Sequence, residues 1–532
     1  MEPTRIPRHL PSEIALGLLL VLVLAPFVWT SHFPEDEFTT LSNGLRMWHG
    51  AVIYQDFFEF TAPLSHWLAT FAFWLGGPSL VSARLAQAAL LLLAGWQLHR
   101  LARALGTGPW VSLLPGLILV LALYRTLPGL NHHWVALPFA LGALQAGMRG
   151  LDTGRARWWA AAGASGGMTT LAMQSDGPVT AVALAGAIAL SAFMGENPRR
   201  ALKQLLAAVA GMALPLGLAA LYFASHGALG AAWHHVWEWP LAHYKTAGGA
   251  NDVKFAMDLA VLTSTTAGWV NVPFWYAKSY HVVMLLALLP LTALGALAWG
   301  LGLAWRRVWP GTAWSPIEAR YALVGLLVIG FGLLAVRGRA DMAHVAEYAA
   351  PAVLLAVAVA DQARRRLVAP ELRLVKQLPL AMLVGFLLTG GLWLAQDMRQ
   401  APEAWLSLRS PDERLEDRPA IRYVREHAAP GDKIVAMPYP GPYYFYGRPP
   451  ASRYTLILPP EAGYNTPAEF EAFWKEIERE RPRYVIVSHW DGEAALGAYM
   501  RQPLPGYREV ARKAIKAAPD APRAVIFERE AP

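Results

Sequence analysis

Two adjacent carboxylates, Asp36 and Glu37, follow a long apolar run by only a few residues, and Asp56, Glu59 and His66 precede the next apolar stretch. Acidic groups this close to a membrane-length segment are costly unless they face water or a polar cavity. In such a cavity a carboxylate can act as a general base toward an attacking hydroxyl or amine. A second set is cationic. Arg337 and Arg339 share the turn RGRADMAH with Asp341 and His344. Two guanidiniums there match the oxygens of a phosphate or an anionic headgroup in a bidentate way. The bland alternative is a salt-bridged loop, for example Arg339 with Asp341. Arg84 is a further cation of this kind, with snorkelling to headgroups as its ordinary role. His132 and His133 form a pair in another turn, and Asp176 lies in Ser-Asp-Gly-Pro. Cap and turn chemistry accounts for such residues more often than ligand contact does.

The elements that must position these groups are apolar. Hydrophobic residues make up 55% of the 532-residue chain, charged residues only 16%, and mean hydropathy is +0.30. The apolar residues fall in separate runs of roughly 18–22, about the length of a bilayer-crossing helix. This predicts a polytopic α-helical membrane protein with about 11 transmembrane helices. The formal charge of +8 comes in small basic clusters between runs, which is the positive-inside pattern rather than a nucleic-acid footprint. There is no cysteine, so neither disulfides nor thiolate chemistry enter. The first run, about 14–31, lacks a small-residue cleavage site and reads as a retained anchor.

Spans are expected near 14–31, 80–98, 109–126, 133–148, 158–174, 178–194, 205–224, 280–304, 320–336, 344–360 and 378–395. With residues 1–13 inside, loop 32–78 lies outside. It holds a short amphipathic helix at 36–48 and an apolar stretch at 63–77, which is short for a crossing and suits an interfacial helix. Every loop placed inside carries at least two Lys or Arg, and the outside turns at 126–132 and 175–177 carry none. Arg337 and Arg339 break the rule, which is the reason to give them an anionic partner. The segment 226–279 is outside and rich in tryptophan, like an interfacial belt. Little charge falls within the spans, whereas ion-coupled transporters usually need ionisable residues at mid-membrane.

The chain therefore divides into a membrane part, 1–396, and a tail, 397–532, also outside. In the tail KIVAM (433–437), YVIVS (484–488) and AVIFE (524–528) read as strands, with a helical pattern at 468–481. Alternating strands and helices predict a small soluble α/β domain. It contains no metal motif, P-loop or dinucleotide fingerprint.

The order Asp36-Glu37, an amphipathic stretch Leu45 to Gly50, Tyr54-Gln55-Asp56, Pro63-Leu64, then Arg84-Leu85 resembles the GT-C membrane glycosyltransferases that use polyprenyl-phosphate sugars. The branch it is most similar to is bacterial glycosyltransferase family 39, which includes relatives of protein O-mannosyltransferases and of the aminoarabinose transferase of lipid A. The RADMAH element followed by a span containing Pro351 is similar too. Ala62-Pro63 departs from the Pro-Pro of many members, which leaves the acceptor open. The resemblance puts the catalytic aspartate at Asp36. It implies an inverting transfer in which the polyprenyl phosphate leaves without needing a proton, so one carboxylate suffices, unlike the pair in most glycoside hydrolases. Arg337 and Arg339, with Arg84, would stabilise the departing phosphate. Glu37, Asp56 and His132 or His133 are candidates for positioning acceptor or sugar, or for holding a divalent cation, and Glu59 for a lesser role. The implied partners are a lipid-linked sugar donor, membrane lipids and an acceptor glycan, lipid or protein, at the outer face of a cell inner membrane. Two alternatives stay open at this point. One is a lipid-linked glycan ligase or polymerase using the acids Glu238, Asp252 and Asp258 of the later loop; the other is a non-enzymatic lipid flippase or transporter.

Overall fold

The computed structural model describes residues 10–30, 35–193, 197–247, 272–307, 315–337, 342–366, 374–400, 402, 409–416, 419–437, 444, 446–457, 465–489, 505–514 and 523–530. Helices dominate the first 400 residues. They are α1 (Leu10–Trp29), α2 (Glu35–Trp48), α3 (Leu64–Gly76), α4 (Leu80–Ala104) and the short apolar α5 (Val111–Thr126). There follow α6 (His132–Thr153), α7 (Ala156–Ala172), α8 (Asp176–Phe193), α9 (Pro198–Ser225), α10 (Leu229–Trp233) and α11 (Trp239–Ala247). Last come α12 (Val272–Arg307), α13 (Pro316–Arg337), α14 (Met342–Tyr348), α15 (Ala350–Arg366) and α16 (Leu378–Gln400).

Ten of the eleven expected spans fall on one of these helices each, and the span expected at 344–360 falls on two, α14 and α15. Among the described residues seven helices are long and apolar enough to cross a membrane, or eight if α14 and α15, bent by 61° about Ala349, count as one span. The remaining three are shorter or more polar. Helix α5 is short and winds successively as 3-10, α, π and 3-10. Helix α6 carries His132, His133, Gln145, Arg149 and Asp152, and α7 has 17 residues. The chain is a multi-pass membrane protein. Helices α7 and α9 pack backbone to backbone: a Cβ on Gly163 would meet the Ala208 carbonyl at 1.8 Å, and one on Gly211 the Ala160 carbonyl at 2.0 Å. Small residues permit that approach where no hydrophobic effect drives helices together.

Contacts sort the loop residues to two ends of the bundle. At one end Arg100 pairs with Glu13, Arg320 with Asp152, and the Gly108 amide donates to Asp361, which also holds Arg364 and Arg365. These are the basic loops that the charge pattern groups together. At the other end lie α2, α3 and the first turns of α4, α6 and α8. In α3, Phe71, Trp74 and Leu75 are exposed.

The tail contains a four-stranded sheet, β1 (Ile434–Met437), β2 (Tyr484–His489), β3 (Tyr507–Ala514) and β4 (Arg523–Arg529), in the order β1-β2-β4-β3. Strands β1 and β2 are parallel, with Ile434 opposite Tyr484, and the other pairings are antiparallel. A crossover between parallel strands needs a helix, and Pro467–Glu480 supplies one, started by a Thr466/Glu469 capping box with Pro467 in its first turn. Three of the strands and this helix match the sequence pattern. Strand β3 does not show there. The sheet is not insulated from the membrane part: Phe58 and Trp239 share an apolar cluster with Val435, Tyr454, Phe473 and Val485.

Candidate active site

Asp36 and Glu37 lie in the first turn of α2, and their environments differ. Glu37 has no exposure and Asp36 is half-buried. Arg84, in the second turn of α4, grips Glu37 with two hydrogen bonds, Nε to Oε1 at 2.8 Å and Nη2 to Oε2 at 2.6 Å. Its Nη1 donates to the Thr30 carbonyl at the end of α1. The Leu130 amide approaches Glu37 Oε1 at 3.4 Å, and the neighbouring Gly129 amide donates to the Tyr124 hydroxyl at 2.8 Å. Gly129 has φ +120, and a Cβ there would lie 2.7 Å from Glu37 Cδ. One carboxylate thus ties α1, α4 and the turn before α6 to the start of α2, directly beside Asp36.

Glu59 is caged by its own loop. Its Oε1 accepts from the Phe60 and Thr61 amides and the Thr61 hydroxyl, at 2.8, 2.8 and 2.9 Å, and its Oε2 from Asn43 Nδ2 at 2.6 Å. Burial pushes the Glu59 carboxyl above the usual range, and the Thr61 and Phe60 donors oppose that rise. His66 Nε2 lies 3.0 Å from Thr61 Oγ1 and 3.7 Å from Glu59 Oε2. Burial pushes its imidazole down to about 4. The loop is locked by Tyr54, fully buried at φ +72, whose hydroxyl donates to the Thr61 carbonyl. A non-glycine residue in that region is strained and needs such packing to persist.

The two acidic clusters meet at His132. Asp36, Glu59, His66 and His344 are its electrostatic neighbours. The His132 and His133 rings lie 4.2 Å apart, and His133 Nε2 sits 3.0 Å from Glu347 Oε2. The start of α6 is fixed by Asn131, which caps the Trp134 amide at 3.1 Å, and by Trp134 Nε1, which donates to the Leu127 carbonyl at 2.8 Å. Asp176, in the first turn of α8, is buried and hydrogen-bonded to Ser175 and Tyr348. Asp36, Glu59, His132, His133, Asp176 and His344, distant in sequence, therefore form one polar region linking α2, α6, α8 and α14.

Other candidates stand elsewhere. Asp56 is exposed, and its Oδ2 accepts from the Val52 amide at 2.6 Å, closing its own turn. Arg84 is 3% exposed and turned to Glu37. Arg337 ends α13, while Arg339 and Asp341 lie outside the described residues. So do Asp252 and Asp258 of the later loop, where Glu238 is exposed beside Trp233 and His234. Sequence reasoning passed over Glu347, Tyr348 and Asn43. The signal for Glu347 was its place three residues after His344, on the same helical face.

Residues 61–226 match the family described as dolichyl-phosphate-mannose-protein mannosyltransferase. Over this segment the resemblance to GT-C glycosyltransferases is borne out. No curated protein matches the chain. Among solved structures, ArnT from Cupriavidus metallidurans bound to undecaprenyl phosphate is 14% identical, with 97% of each chain covered and a TM-score of 0.49. The S. cerevisiae protein O-mannosyltransferase Pmt1-Pmt2 complex bound to the sugar donor is 17% identical over 42% of this chain, with a TM-score of 0.35. This chain spans 35% of that one. The mycobacterial arabinofuranosyltransferase AftD is 12% identical over 98% of this chain and 40% of its own, with a TM-score of 0.46.

Proposed function

We propose that this chain is an integral membrane glycosyltransferase that moves a sugar from a polyprenyl-phosphate donor to a hydroxyl or amine of a glycan, lipid or protein acceptor. Asp36 is the general base. It takes the acceptor proton as the new bond to the anomeric carbon forms on the face opposite the phosphate. The bond from that carbon to the phosphate oxygen breaks, and the polyprenyl phosphate departs as an anion that needs no proton, so the anomeric centre inverts. Arg337 and Arg339 stabilise that anion. Glu59, His132 and Asp176 bind sugar or acceptor, and His133 and His344 are placed to hold substrate or a divalent cation. The membrane part is 1–396 and the tail 397–532, with site and tail outside an inner or plasma membrane. The basic loops gathered at the opposite end support that orientation.

The observation that carries this reading is the pairing of Glu37 with Arg84 beside a half-buried Asp36. It satisfies one carboxylate of the pair completely and leaves the other beside His132. The family match over 61–226 supports the donor class. The test is turnover by the purified full chain in detergent, given polyprenyl-phosphate sugars and a glycolipid acceptor. Free polyprenyl phosphate is expected, and Asp36→Asn should cut its release by about 10²–10⁴ with unchanged thermal unfolding. Equal turnover by Asp36→Asn overturns the assignment of the base. Lipid movement in vesicles with no covalent product would make the chain a transporter instead.

A further inference from the structure

We propose that His133, His344 and Glu347 form a binding site for a divalent cation of the zinc type. Each offers one ligand atom, and the three atoms lie within 4.8 Å of one another. The set is built from two elements. His344 and Glu347 are three residues apart in α14 and so share one face of it. His133 enters from the first turn of α6, with its ring 86° to that of His344 and the centroids 5.8 Å apart. His133 and Glu347 are 6% and 5% exposed and His344 is half-buried.

Donor chemistry selects the ion. Two imidazoles and one carboxylate suit zinc and related transition metals, whereas magnesium and calcium prefer all-oxygen sets. Three protein ligands leave a fourth tetrahedral position open. His133 and Glu347 lie 3.0 Å apart, and the His344 imidazole converges on the pair as a third donor. The surroundings are rigid where a metal site needs it. The Asn131 cap fixes the α6 end, and the residue after Glu347, Tyr348, is hydrogen-bonded to Asp176. Of the residues the sequence offers for such a cation, Glu37, Asp56 and His132 or His133, the first is held by Arg84, the second closes its own turn, and His133 belongs to the present set.

The ion would sit beside His132 and the Asp36 cluster. Resting on the transferase reading, its open position takes an oxygen of the donor phosphate and offsets charge on the leaving group.

The experiment uses tag-free full-length protein in detergent, stripped with chelator and titrated with ZnCl2, with MgCl2 and CaCl2 as controls. One equivalent of zinc is expected by calorimetry and elemental analysis, with no comparable response to magnesium or calcium. His344→Ala, at a half-buried position, and Glu347→Gln should each weaken binding by about 100-fold or more. Zinc should raise the unfolding temperature of the unaltered chain and not that of His344→Ala. No zinc binding, or equal affinity in both variants, overturns the site. These measurements contain no donor or acceptor, so they stand even if the transferase reading fails. Polyprenyl phosphate affinity that is equal with and without zinc would remove the phosphate role and leave the site.

Discussion

Arg84 and Glu37, 47 residues apart in sequence, meet through two charge-assisted hydrogen bonds of 2.8 and 2.6 Å with neither side chain more than 3% exposed. A buried pair of this kind contributes little against an apolar substitute, but removing one partner strands a charge at a cost of about 3–5 kcal/mol. Arg84→Met is therefore expected to lower the unfolding temperature sharply and to abolish transfer, since Asp36 is the adjacent residue. The double variant Glu37→Gln with Arg84→Met should recover much of the stability. Thermal unfolding of the unaltered chain, the two single variants and the double variant in one detergent checks this, and additive losses would contradict a direct pair.

Gly129 gives an independent handle on the same carboxylate. Its φ of +120 and the 2.7 Å approach of a built Cβ to Glu37 Cδ leave no room for a side chain. Gly129→Ala should cost about 1–3 kcal/mol through backbone strain and overpacking. It should displace Glu37 without changing any charge. Reduced turnover at full expression is the expected result, and wild-type turnover would show that the Glu37 position does not govern Asp36.

Much of this arrangement was legible in the sequence, for identifiable reasons. The length of the apolar runs placed most helices of the bundle, though not α10, α11 or the break between α14 and α15, and the short amphipathic and apolar stretches at 36–48 and 63–77 became α2 and α3. Strand β3 was hidden because its pairing with β4 is irregular between Glu509 and Ala511. Such a bulge moves the inward face by one residue and spoils alternation. The acidic pair was visible, but the fates of its two members were not, because Glu37 is satisfied by a residue from another helix. Asp56 looked equivalent to Glu59 on residue type alone. Backbone geometry separates them: Asp56 accepts from an amide four residues back and faces solvent, while Glu59 is enclosed. Glu347 lay inside an apolar stretch, where only its spacing from His344 marked it.

His66 makes stability depend on pH. Its ordinary value near 6.5 falls to about 4 in the folded chain because burial disfavours the imidazolium. Above pH 6.5 both folded and unfolded states hold it neutral, and its contribution is fully present. As pH falls from 6.5 toward 4 the unfolded state binds a proton that the folded state refuses, so stability is lost. Between pH 7 and 5 the loss is about 2 kcal/mol. His66→Asn, which cannot take the proton, should show a shallower decline over that window. Unfolding temperatures of both proteins at pH 7, 6 and 5 test it, and parallel curves would assign the pH dependence elsewhere.

A buried relay joins the tail to the candidate site. Thr455 Oγ1 donates to Asn43 Oδ1 at 2.7 Å, and Asn43 Nδ2 donates to Glu59 Oε2 at 2.6 Å. All three residues are at most 5% exposed. An amide held at both ends has a fixed orientation, so Thr455 decides which face of Asn43 meets Glu59. Replacing Thr455 by Val keeps the shape and removes the donor. The Asn43 oxygen is then buried without that partner, at a cost of about 1–3 kcal/mol. Glu59 also becomes free to lose its shortest hydrogen bond. Thr455→Val should therefore lower transfer activity even though Thr455 belongs to the tail, and Thr455→Ser, which restores the hydroxyl, should recover it. If Val and Ser variants behave alike, the tail contributes packing at this point and does not orient the site.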